Sequence, residues 1–376
     1  MKDLLESLQN KSIHIVGVTG AEGSSILRFL LKHHVKNITA HDFLKEKTIE
    51  KSYKLWHKGI STDKRNKNFR KFVSDLKLVK FYSENDYLKD ILKAEIIFVP
   101  QSWRLYKENF PLWEAKKENI PFYSLTRLYL EYSKGQVIGV TGTVGKGSVA
   151  NLLVQILKKS LPYGRQVYFA GNETWMGQLA DKLDEMNLSD ILVLEISHRQ
   201  LLDGFDKAPH IIIFTNLYPN HLDELTWEEY KRLKLSLLQS QKDTDLAVIN
   251  YDIEELRKIV PQLKSKVFYF SGKDKLMNMK SVQDIYQYFM DNNSIHYLDN
   301  IMAAATAATL LGIDKKVIVR QLKTINSLPA RLELLSKVSG VEIFNDIKST
   351  TPWATIAAVS KLSPNVILVC GGRTKG

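Results

Sequence analysis

The sequence predicts an α/β protein with Rossmann-like units and mostly parallel sheets. Short apolar strands alternate with helical stretches along the chain. A glycine-rich turn follows the first strand in each of two such series, as in nucleotide-binding α/β folds. A chain of 376 residues can form two or three domains with substantial cores. We therefore expect three domains, at residues 1–134, 135–328 and 329–376.

The first series has strands at Ile13–Val18, Ile38–His41, Ile96–Pro100 and Pro121–Ser124 and a helix at Ser25–Lys32. Its first turn holds Gly17, Gly20 and Gly23, and Asp42 follows the second strand. The spacing Gly-x-x-Gly-x-x-Gly departs from the dinucleotide fingerprint, so the turn by itself predicts binding of some nucleotide. An NAD-linked oxidoreductase remains an alternative that rests on this turn alone.

The second series begins at Gln136–Val140 and continues through five further strands and two helical stretches. The strands are Val167–Ala170, Ile191–Leu194, Ile211–Thr215, Leu246–Asn250 and Val267–Phe270, and the helices are Asp299–Leu311 and Asp314–Ile325. Between the first strand and a helix beginning near Gly147 stands Gly-Val-Thr-Gly-Thr-Val-Gly-Lys-Gly-Ser. Such a turn cradles phosphates with backbone N–H groups, and Lys146 adds a positive charge. The pattern predicts a P-loop ATPase-type central domain and ATP as cofactor.

Polar residues at two later strand ends are candidate Mg²⁺ ligands. Glu195 ends the strand Ile191–Leu194, and His221 lies beyond Ile211–Thr215 with Asp223 placed to orient it. Carboxyl ends of parallel strands share one sheet edge, so these groups should face the phosphate loop. Each residue alone is more often a cap or surface group, and the three groups together favour a metal site.

The last residues predict a strand at Leu332–Val338, a Ser339–Gly340 turn, a strand at Val341–Phe344, a helix at Pro352–Leu362 and a strand at Asn365–Cys370. We expect a domain boundary near residues 327–329. Roughly fifty residues do not readily complete an α/β domain, so this domain is expected to be partial.

Composition limits the possible partners and location. The net charge is +12, and Lys64–Lys71 is locally basic, but no aromatic-basic interleaving recurs, so solvated lysines are favoured over nucleic-acid binding. The single cysteine, Cys370, fits a reducing compartment. Neither a signal peptide nor an apolar run of membrane-spanning length is visible. We expect a cytoplasmic monomer without nucleic-acid or membrane partners.

Six ordered motifs resemble the Mur ligase family. They are Gly-Val-Thr-Gly-Thr-x-Gly-Lys, Leu-Glu-Ile-Ser-x-x-Gln-Leu, Asn-Leu-x-Pro-Asn-His-Leu-Asp, Tyr230-x-x-x-Lys234, Leu-Pro-Ala-Arg-Leu-Glu ending at Glu333, and Asn-Asp-Ile-Lys-Ser-Thr-Thr ending at Thr351. The resemblance spans Ile13 to Gly376 and fits best the D-glutamate-adding branch. It implies an ATP-dependent amide ligase that joins D-glutamate to UDP-N-acetylmuramoyl-L-alanine through an acyl phosphate.

The resemblance also implies roles for individual residues. The catalytic set is Lys146, His221 and Lys234. The Mg²⁺ ligands are Ser148, Glu195, His221 and Lys234 as a carbamate. The ATP contacts are Gly142, Thr143, Gly145, Lys146, Gly147, Ser148, Asn300, Arg331 and Asp346. The substrate contacts are Gly17, Thr19, Gly20, Asp42, Asn172, Ser197, Lys348, Thr350 and Lys375.

Departures from the family pattern leave alternatives open. Val144 replaces the usual loop asparagine, and Gly147 stands where Ser or Thr is common, which resembles folylpolyglutamate synthase in the same superfamily. Tyr297 and His198-Arg199 also depart from the pattern. A different Mur or folylpolyglutamate-type ligase, or a catalytically incomplete protein that binds UDP-sugar and ATP, are therefore the alternatives. General-base catalysis by His221 is the alternative to metal ligation.

Overall fold

The computed structural model describes residues 2–172, 178–273, 278–291, 298–324, 330–360, 362 and 365–372. Contacts divide the chain into two compact units, one of residues 1–137 and 168–208, the other of residues 138–167 and 209–376. The predicted α/β class with mostly parallel sheets is confirmed. The division into three domains stays a prediction. No helix among the described residues combines the length and apolar character that crossing a bilayer requires.

A five-stranded parallel sheet organises the N-terminal part. Its strands are β1 (Ile13–Val16), β2 (Ile38–Asp42), β3 (Lys80–Ser83), β4 (Ile96–Phe98) and β5 (Phe122–Tyr123). They lie in the order β3-β2-β1-β4-β5 and pair in parallel. The helices are α1 (Lys2–Gln9), α2 (Ala21–Lys32), α3 (Ile49–Trp56), α4 (Thr62–Leu76), α5 (Pro111–Lys117) and α6 (Leu125–Tyr132).

The direction of strand addition reverses at β1, which has β2 on one side and β4 on the other. Such a reversal opens a crevice at the carboxyl ends of the strands, where the turn after β1 lies. The sequence did not predict β3 or α4. Strand β3 is a short edge strand, Lys-Phe-Tyr-Ser, without the apolar alternation that signals a half-buried strand. Helix α4 contains the basic residues Lys64–Lys71.

The second sheet contains β6 (Gln136–Thr141), β7 (Val167–Gly171), β8 (Ile191–Glu195), β9 (Ile211–Phe214), β10 (Leu246–Asn250) and β11 (Lys266–Phe270). The order is β11-β10-β9-β6-β8-β7, and β6, β9, β10 and β11 pair in parallel. Its helices are α7 (Lys146–Ser160), α8 (Trp227–Gln239), α9 (Glu254–Ile259), α10 (Lys280–Asp291), α11 (Leu298–Leu310) and α12 (Lys315–Lys323). All strands of the predicted second series are confirmed.

Helix α11 packs against α7 through an alanine-rich face. Ala303, Ala304 and Ala307 are fully buried, and their small side chains let the two helix backbones approach closely. This packing brings the first turn of α11 to the loop that precedes α7.

The C-terminal residues form a two-stranded antiparallel hairpin and a helix. Strands β12 (Glu333–Val338) and β13 (Val341–Asn345) join through Ser339 and Gly340, whose φ angles of 49° and 83° are those of a tight hairpin turn. Helix α13 spans Pro352–Val359, and the Thr351 side chain caps it by accepting from the Ala354 N–H.

Two expectations for this region are wrong. Helix α13 ends at Val359, short of the predicted Leu362. Residues 365–370 form no strand, because a strand requires a hydrogen-bonded neighbour and no other described segment pairs with these residues. The predicted boundary at residues 327–329 lies outside the described residues.

Candidate functional site: a phosphate loop and its neighbours

Two glycines shape the loop between β6 and α7. Gly142 has φ 137°, and a Cβ there would lie 2.1 Å from Thr215 Oγ1. Gly145 has φ 83°, and its Cβ would lie 2.5 Å from Asn300 Oδ1. Both positions therefore require glycine for conformation and for space. The first glycine lets the loop contact the end of β9, and the second lets it contact α11.

Hydrogen bonds from Thr215 and Asn216, directly after β9, fix the loop backbone. The Thr143 N–H donates to the Asn216 carbonyl oxygen at 3.0 Å, and the Val144 N–H donates to Asn216 Oδ1 at 2.9 Å. In return, Thr215 Oγ1 and Asn216 Nδ2 both donate to the Val144 carbonyl oxygen, at 2.7 and 3.1 Å. The Val144 side chain takes no part in these bonds. The departure from the usual asparagine therefore leaves the loop backbone held.

The Thr143 hydroxyl is fully engaged within the protein. It donates to the Tyr218 carbonyl oxygen at 3.1 Å and accepts from the Tyr218 N–H at 2.9 Å and from the Tyr230 hydroxyl at 3.3 Å. One donor and two lone pairs are all that a hydroxyl has. Thr143 therefore holds the loop in place. Its partner Tyr230 is buried, and burial raises the pKa of the Tyr230 hydroxyl to about 12.

Groups that can bind an anion lie at the start of α7. The first N–H groups of a helix lack intrahelical acceptors and carry positive potential. Lys146, Gly147 and Ser148 occupy this first turn, and Lys146 Nζ donates to the Thr143 carbonyl oxygen at 2.8 Å. The loop thus offers a lysine, a serine hydroxyl and helix N–H groups to a phosphate.

Lys234 is a buried cation on α8, with 1% of its surface exposed. Its Nζ donates to Thr141 Oγ1, the last residue of β6, at 3.0 Å and lies 5.9 Å from the centre of the Tyr230 ring. A lysine is rarely fully buried without a partner. The structure therefore places Lys234 beneath the phosphate loop instead of on the helix surface.

His221 has φ 58°, a left-handed conformation that is uncommon outside glycine. Its Nδ1 lies 3.2 Å from Glu224 Oε1, and its ring stacks with Tyr230. The acid that contacts this imidazole is thus Glu224, whereas the sequence pointed to Asp223. A carboxylate at Nδ1 fixes the orientation of a histidine, as it does in metal-binding histidines.

Asn300, in the first turn of α11, is buried beside Gly145. A cavity of about 660 Å³ lies in the same unit, with aromatic and acidic walls. Its lining includes Tyr218, Trp227, Asn250, Asp252, Glu255 and Asp299. This volume is in the range of small-molecule sites.

Glu195, at the end of β8, is held by Asn172, and both residues belong to the unit of residues 1–137 and 168–208. The Asn172 N–H donates to the Glu195 carbonyl oxygen at 3.0 Å, and Asn172 Nδ2 donates to Glu195 Oε1 at 3.2 Å. Gly171, with φ 114°, allows this contact because a Cβ there would lie 2.2 Å from the Glu195 carbonyl oxygen. Asn172 thereby orients the buried carboxylate.

Ser197 belongs to a chain of hydrogen bonds that leads to α2. Its Oγ donates to Gln101 Oε1 at 2.9 Å, and the Gln101 N–H donates to Glu22 Oε2 at 3.1 Å. Burial raises the pKa of Glu22 to about 7, although the hydrogen bonds from Gln101 oppose the shift. Sequence reasoning did not single out Glu22 or Gln101, since a single acid in a first helical turn is usually exposed.

The turn after β1 brings Gly17, Thr19, Gly20 and Asp42 together. Gly17 has φ 65°, its carbonyl oxygen accepts from the Gly20 N–H at 3.0 Å, and Asp42 Oδ2 accepts from the Thr19 N–H at 3.0 Å. Burial raises the pKa of Asp42, and the hydrogen bonds from Thr19 oppose it. These four residues lie together at the turn after β1, and their role in binding stays a prediction.

The predicted residues of the C-terminal segment lie around one turn. Asp346 Oδ1 accepts from the Leu332 N–H at 2.9 Å, next to Arg331, and Asp346 Oδ2 accepts from Ser349 Oγ at 2.6 Å. The Lys348 N–H donates to the Ala330 carbonyl oxygen at 3.2 Å. Thr350 is exposed. Lys375 and Tyr297 lie outside the described residues.

Sequence reasoning missed three residues that fix the loop, namely Thr215, Asn216 and Tyr218. It also missed Thr141, which bonds to Lys234, and Glu224, which contacts His221. Thr215 and Asn216 carried a usable signal, since two polar residues directly follow an apolar strand parallel to β6. The partnership of Thr141 with Lys234 had no such signal, because the two residues lie 93 positions apart.

Comparison with known proteins points to one family. Residues 140–313 match the Mur ligase middle domain. A UDP-N-acetylmuramoylalanine–D-glutamate ligase from Thermoanaerobacter sp. (strain X514) is 28% identical over 389 residues, covering 98% of this chain and 79% of the relative. A ligase of the same name from Staphylococcus saprophyticus is 33% identical over 279 residues, covering 71% and 60%.

Solved structures share the fold at low identity. UDP-N-acetylmuramate-alanine ligase MurC from Thermotoga maritima aligns with a TM-score of 0.52 and 14% identity, covering 94% of this chain and 77% of that one. A murein peptide ligase from Psychrobacter arcticus aligns with a TM-score of 0.53 and 13% identity, covering 93% and 75%.

Proposed function

The chain belongs to the Mur ligase family, and we propose that it joins D-glutamate to UDP-N-acetylmuramoyl-L-alanine with hydrolysis of ATP. One observation carries the proposal: Lys146, Lys234 and Asn300 all contact the loop between β6 and α7 or the residue directly before it, and His221 stacks on Tyr230, which donates to Thr143 of the loop. The relatives named for this reaction match nearly the whole chain, which supports the choice of substrates.

The chemistry of the reaction explains why the site needs these groups. A carboxylate resists attack by an amine, because oxide is a very poor leaving group. Transfer of the γ-phosphoryl group from ATP to the carboxylate oxygen gives an acyl phosphate, and ADP leaves. The amine of D-glutamate then attacks the acyl carbon, the tetrahedral intermediate expels phosphate, and the amine loses a proton. Lys146 and the N–H groups of α7 stabilise the charge on the transferred phosphoryl group.

We propose that Glu195 and His221 bind Mg²⁺. Glu195 is a buried carboxylate that Asn172 orients, and His221 is an imidazole whose Nδ1 contacts Glu224; these are donor types and supporting contacts typical of metal sites. Ser148 would add a hydroxyl, and Lys234 as a carbamate would add an anionic oxygen. Bound Mg²⁺ would neutralise charge on the phosphate oxygens.

The substrate ends are assigned to separate parts of the chain. We propose that the turn at Gly17–Gly20 with Asp42 binds the uridine diphosphate moiety, that Asn172 and Ser197 contact the muramoyl group, and that Lys348, Thr350 and Lys375 contact substrate. The cavity beside Asn300 would take the adenine of ATP, with Arg331 and Asp346 contacting the nucleotide. The monomeric state and the cytoplasmic location stay predictions.

Phosphate release from Mg-ATP in the presence of both substrates tests the proposal. We expect release that requires UDP-N-acetylmuramoyl-L-alanine and D-glutamate together, and that L-glutamate does not support. Lys146→Ala should abolish it, whereas Lys158→Ala, an exposed lysine on the same helix, should leave it unchanged. Release with a different amino acid or with a folate acceptor would contradict the substrate assignment. Nucleotide binding without release would favour the binding-only alternative.

A further inference from the structure

Two aromatic side chains connect the phosphate loop, the cavity and the C-terminal segment. Tyr218 lines the cavity, and its ring stacks with Trp353 of α13, with centroids 5.4 Å apart and ring planes inclined by 25°. Trp353 is 51% exposed, so burial in a core does not explain its position. The pair is therefore a defined contact between the cavity wall and the 330–360 segment.

Tyr218 is rigidly joined to the phosphate loop. Both its N–H and its carbonyl oxygen bond to Thr143 Oγ1. Burial raises the pKa of the Tyr218 hydroxyl, and the nearby carboxylates of Asp299, Asp252 and Glu255 raise it further. These three acids line the cavity as well. Tyr218 thus bonds to the loop through its backbone and also lines the space assigned to the base.

We propose that Tyr218 and Trp353 form an aromatic latch: a purine base in the cavity packs against Tyr218, and the stack with Trp353 couples base binding to docking of the 330–360 segment. This inference rests on the proposed use of ATP. Base–aromatic and aromatic–aromatic contacts are favourable and tolerate small changes of angle, which suits a stack that binding of a base strengthens. Arg331, Asp346 and Lys348 belong to the docked segment, so the latch would position them.

Hydrogen exchange with ADP and with inorganic tripolyphosphate separates the base from the phosphates. Both probes should slow exchange at residues 139–148, since both place phosphates on the loop. Only ADP should slow exchange at residues 330–360. Trp353→Leu should remove the second effect and keep the first, and should weaken ADP binding roughly 2- to 10-fold without changing tripolyphosphate binding.

Conservative and matched variants complete the test. Trp353→Phe retains an aromatic ring and should restore protection of residues 330–360. Trp56→Leu removes a tryptophan of similar exposure from the N-terminal unit and should have no effect. Equal protection by tripolyphosphate, or full protection in Trp353→Leu, would overturn the latch. Absence of protection at 139–148 with either probe would instead refute the proposed function, and the latch with it.

Discussion

The ammonium group of Lys234 donates a hydrogen bond of 3.0 Å to the hydroxyl of Thr141, directly before the phosphate loop. This bond ties a buried lysine of α8 to the strand that presents the loop. Because the lysine has almost no exposed surface, solvent screens its charge only weakly, and the charge interacts mainly with groups of the site. The family role expected from the sequence for this residue therefore has a suitable location.

Lys234→Met should reduce phosphate release about 100-fold or more, because it removes the amino group of Lys234 from the site. The free energy of unfolding should change by no more than about 1 kcal/mol, since methionine fills a similar volume. Kinetics together with urea unfolding check both expectations. Lys231→Met on the same helix serves as the control, because Lys231 pairs with exposed Glu228 and lies 5.8 Å from the centre of the Trp227 ring. A large loss of stability would indicate a structural role for Lys234.

Gly142→Ala should destabilise the loop by roughly 3 kcal/mol or more, because the added Cβ meets Thr215 Oγ1 at 2.1 Å in addition to the backbone strain. ADP affinity should fall in parallel. Gly164→Ala has a similar φ of 94° and nothing within 4 Å, so it should cost only about 1–2 kcal/mol and leave ADP binding intact. Thermal unfolding and calorimetric titration measure these effects. Equal losses in the two variants would show that strain alone is responsible.

Glu224→Gln should raise the Mg²⁺ concentration needed for half-maximal phosphate release about 10- to 100-fold, because the His221 imidazole loses its anionic partner. Titration of activity with Mg²⁺ at saturating ATP measures the shift. Glu228→Gln, an exposed acid one helical turn further along the chain, should leave the Mg²⁺ curve unchanged. An unchanged curve in Glu224→Gln would exclude the assigned role of this contact.

Glu22 should make the protein less stable as the pH rises. Burial raises the pKa of Glu22 to about 7 from the ordinary 4.5, so the folded state keeps a proton that the unfolded state has lost. The contribution is fully present below pH 4.5 and is lost as the pH rises through about 7. Urea unfolding at a series of pH values should show this decline in the wild type, and Glu22→Gln should flatten it. Parallel curves for the two proteins would contradict the assignment.

The His14–His41 pair should make the protein less stable as the pH falls. The two rings stack, with His14 Nδ1 2.8 Å from His41 Nε2, and burial lowers the pKa of His14 to about 4 and that of His41 to about 3. The unfolded state therefore binds protons first, and stability is lost as the pH falls from 6.5 towards 4. Unfolding curves of His14→Leu/His41→Phe should show a smaller decline, to which His33 and His57, whose pKa values burial also lowers, still contribute. His34→Asn, at an exposed histidine, should retain the full decline.

The sequence by itself determined the α/β class, the two glycine turns, and the positions along the chain of the strands that form the second sheet. These features depend on local patterns: apolar runs give buried strands, and glycine permits the positive φ angles that Gly17, Gly142 and Gly145 adopt. The edge strand β3 escaped prediction because its four residues, Lys-Phe-Tyr-Ser, are too few to show the apolar alternation that such patterns require.

Tertiary structure decided which side chains cooperate. Lys234 reads in sequence as a surface lysine of an amphipathic helix, and its burial against Thr141 follows only when α8 packs on the sheet. Glu224 instead of Asp223 contacts His221 because the left-handed turn at His221 directs the chain that way. The stack of Tyr218 with Trp353 joins residues 135 positions apart. Contacts between distant residues are set by packing geometry, which one sequence does not encode in any local pattern.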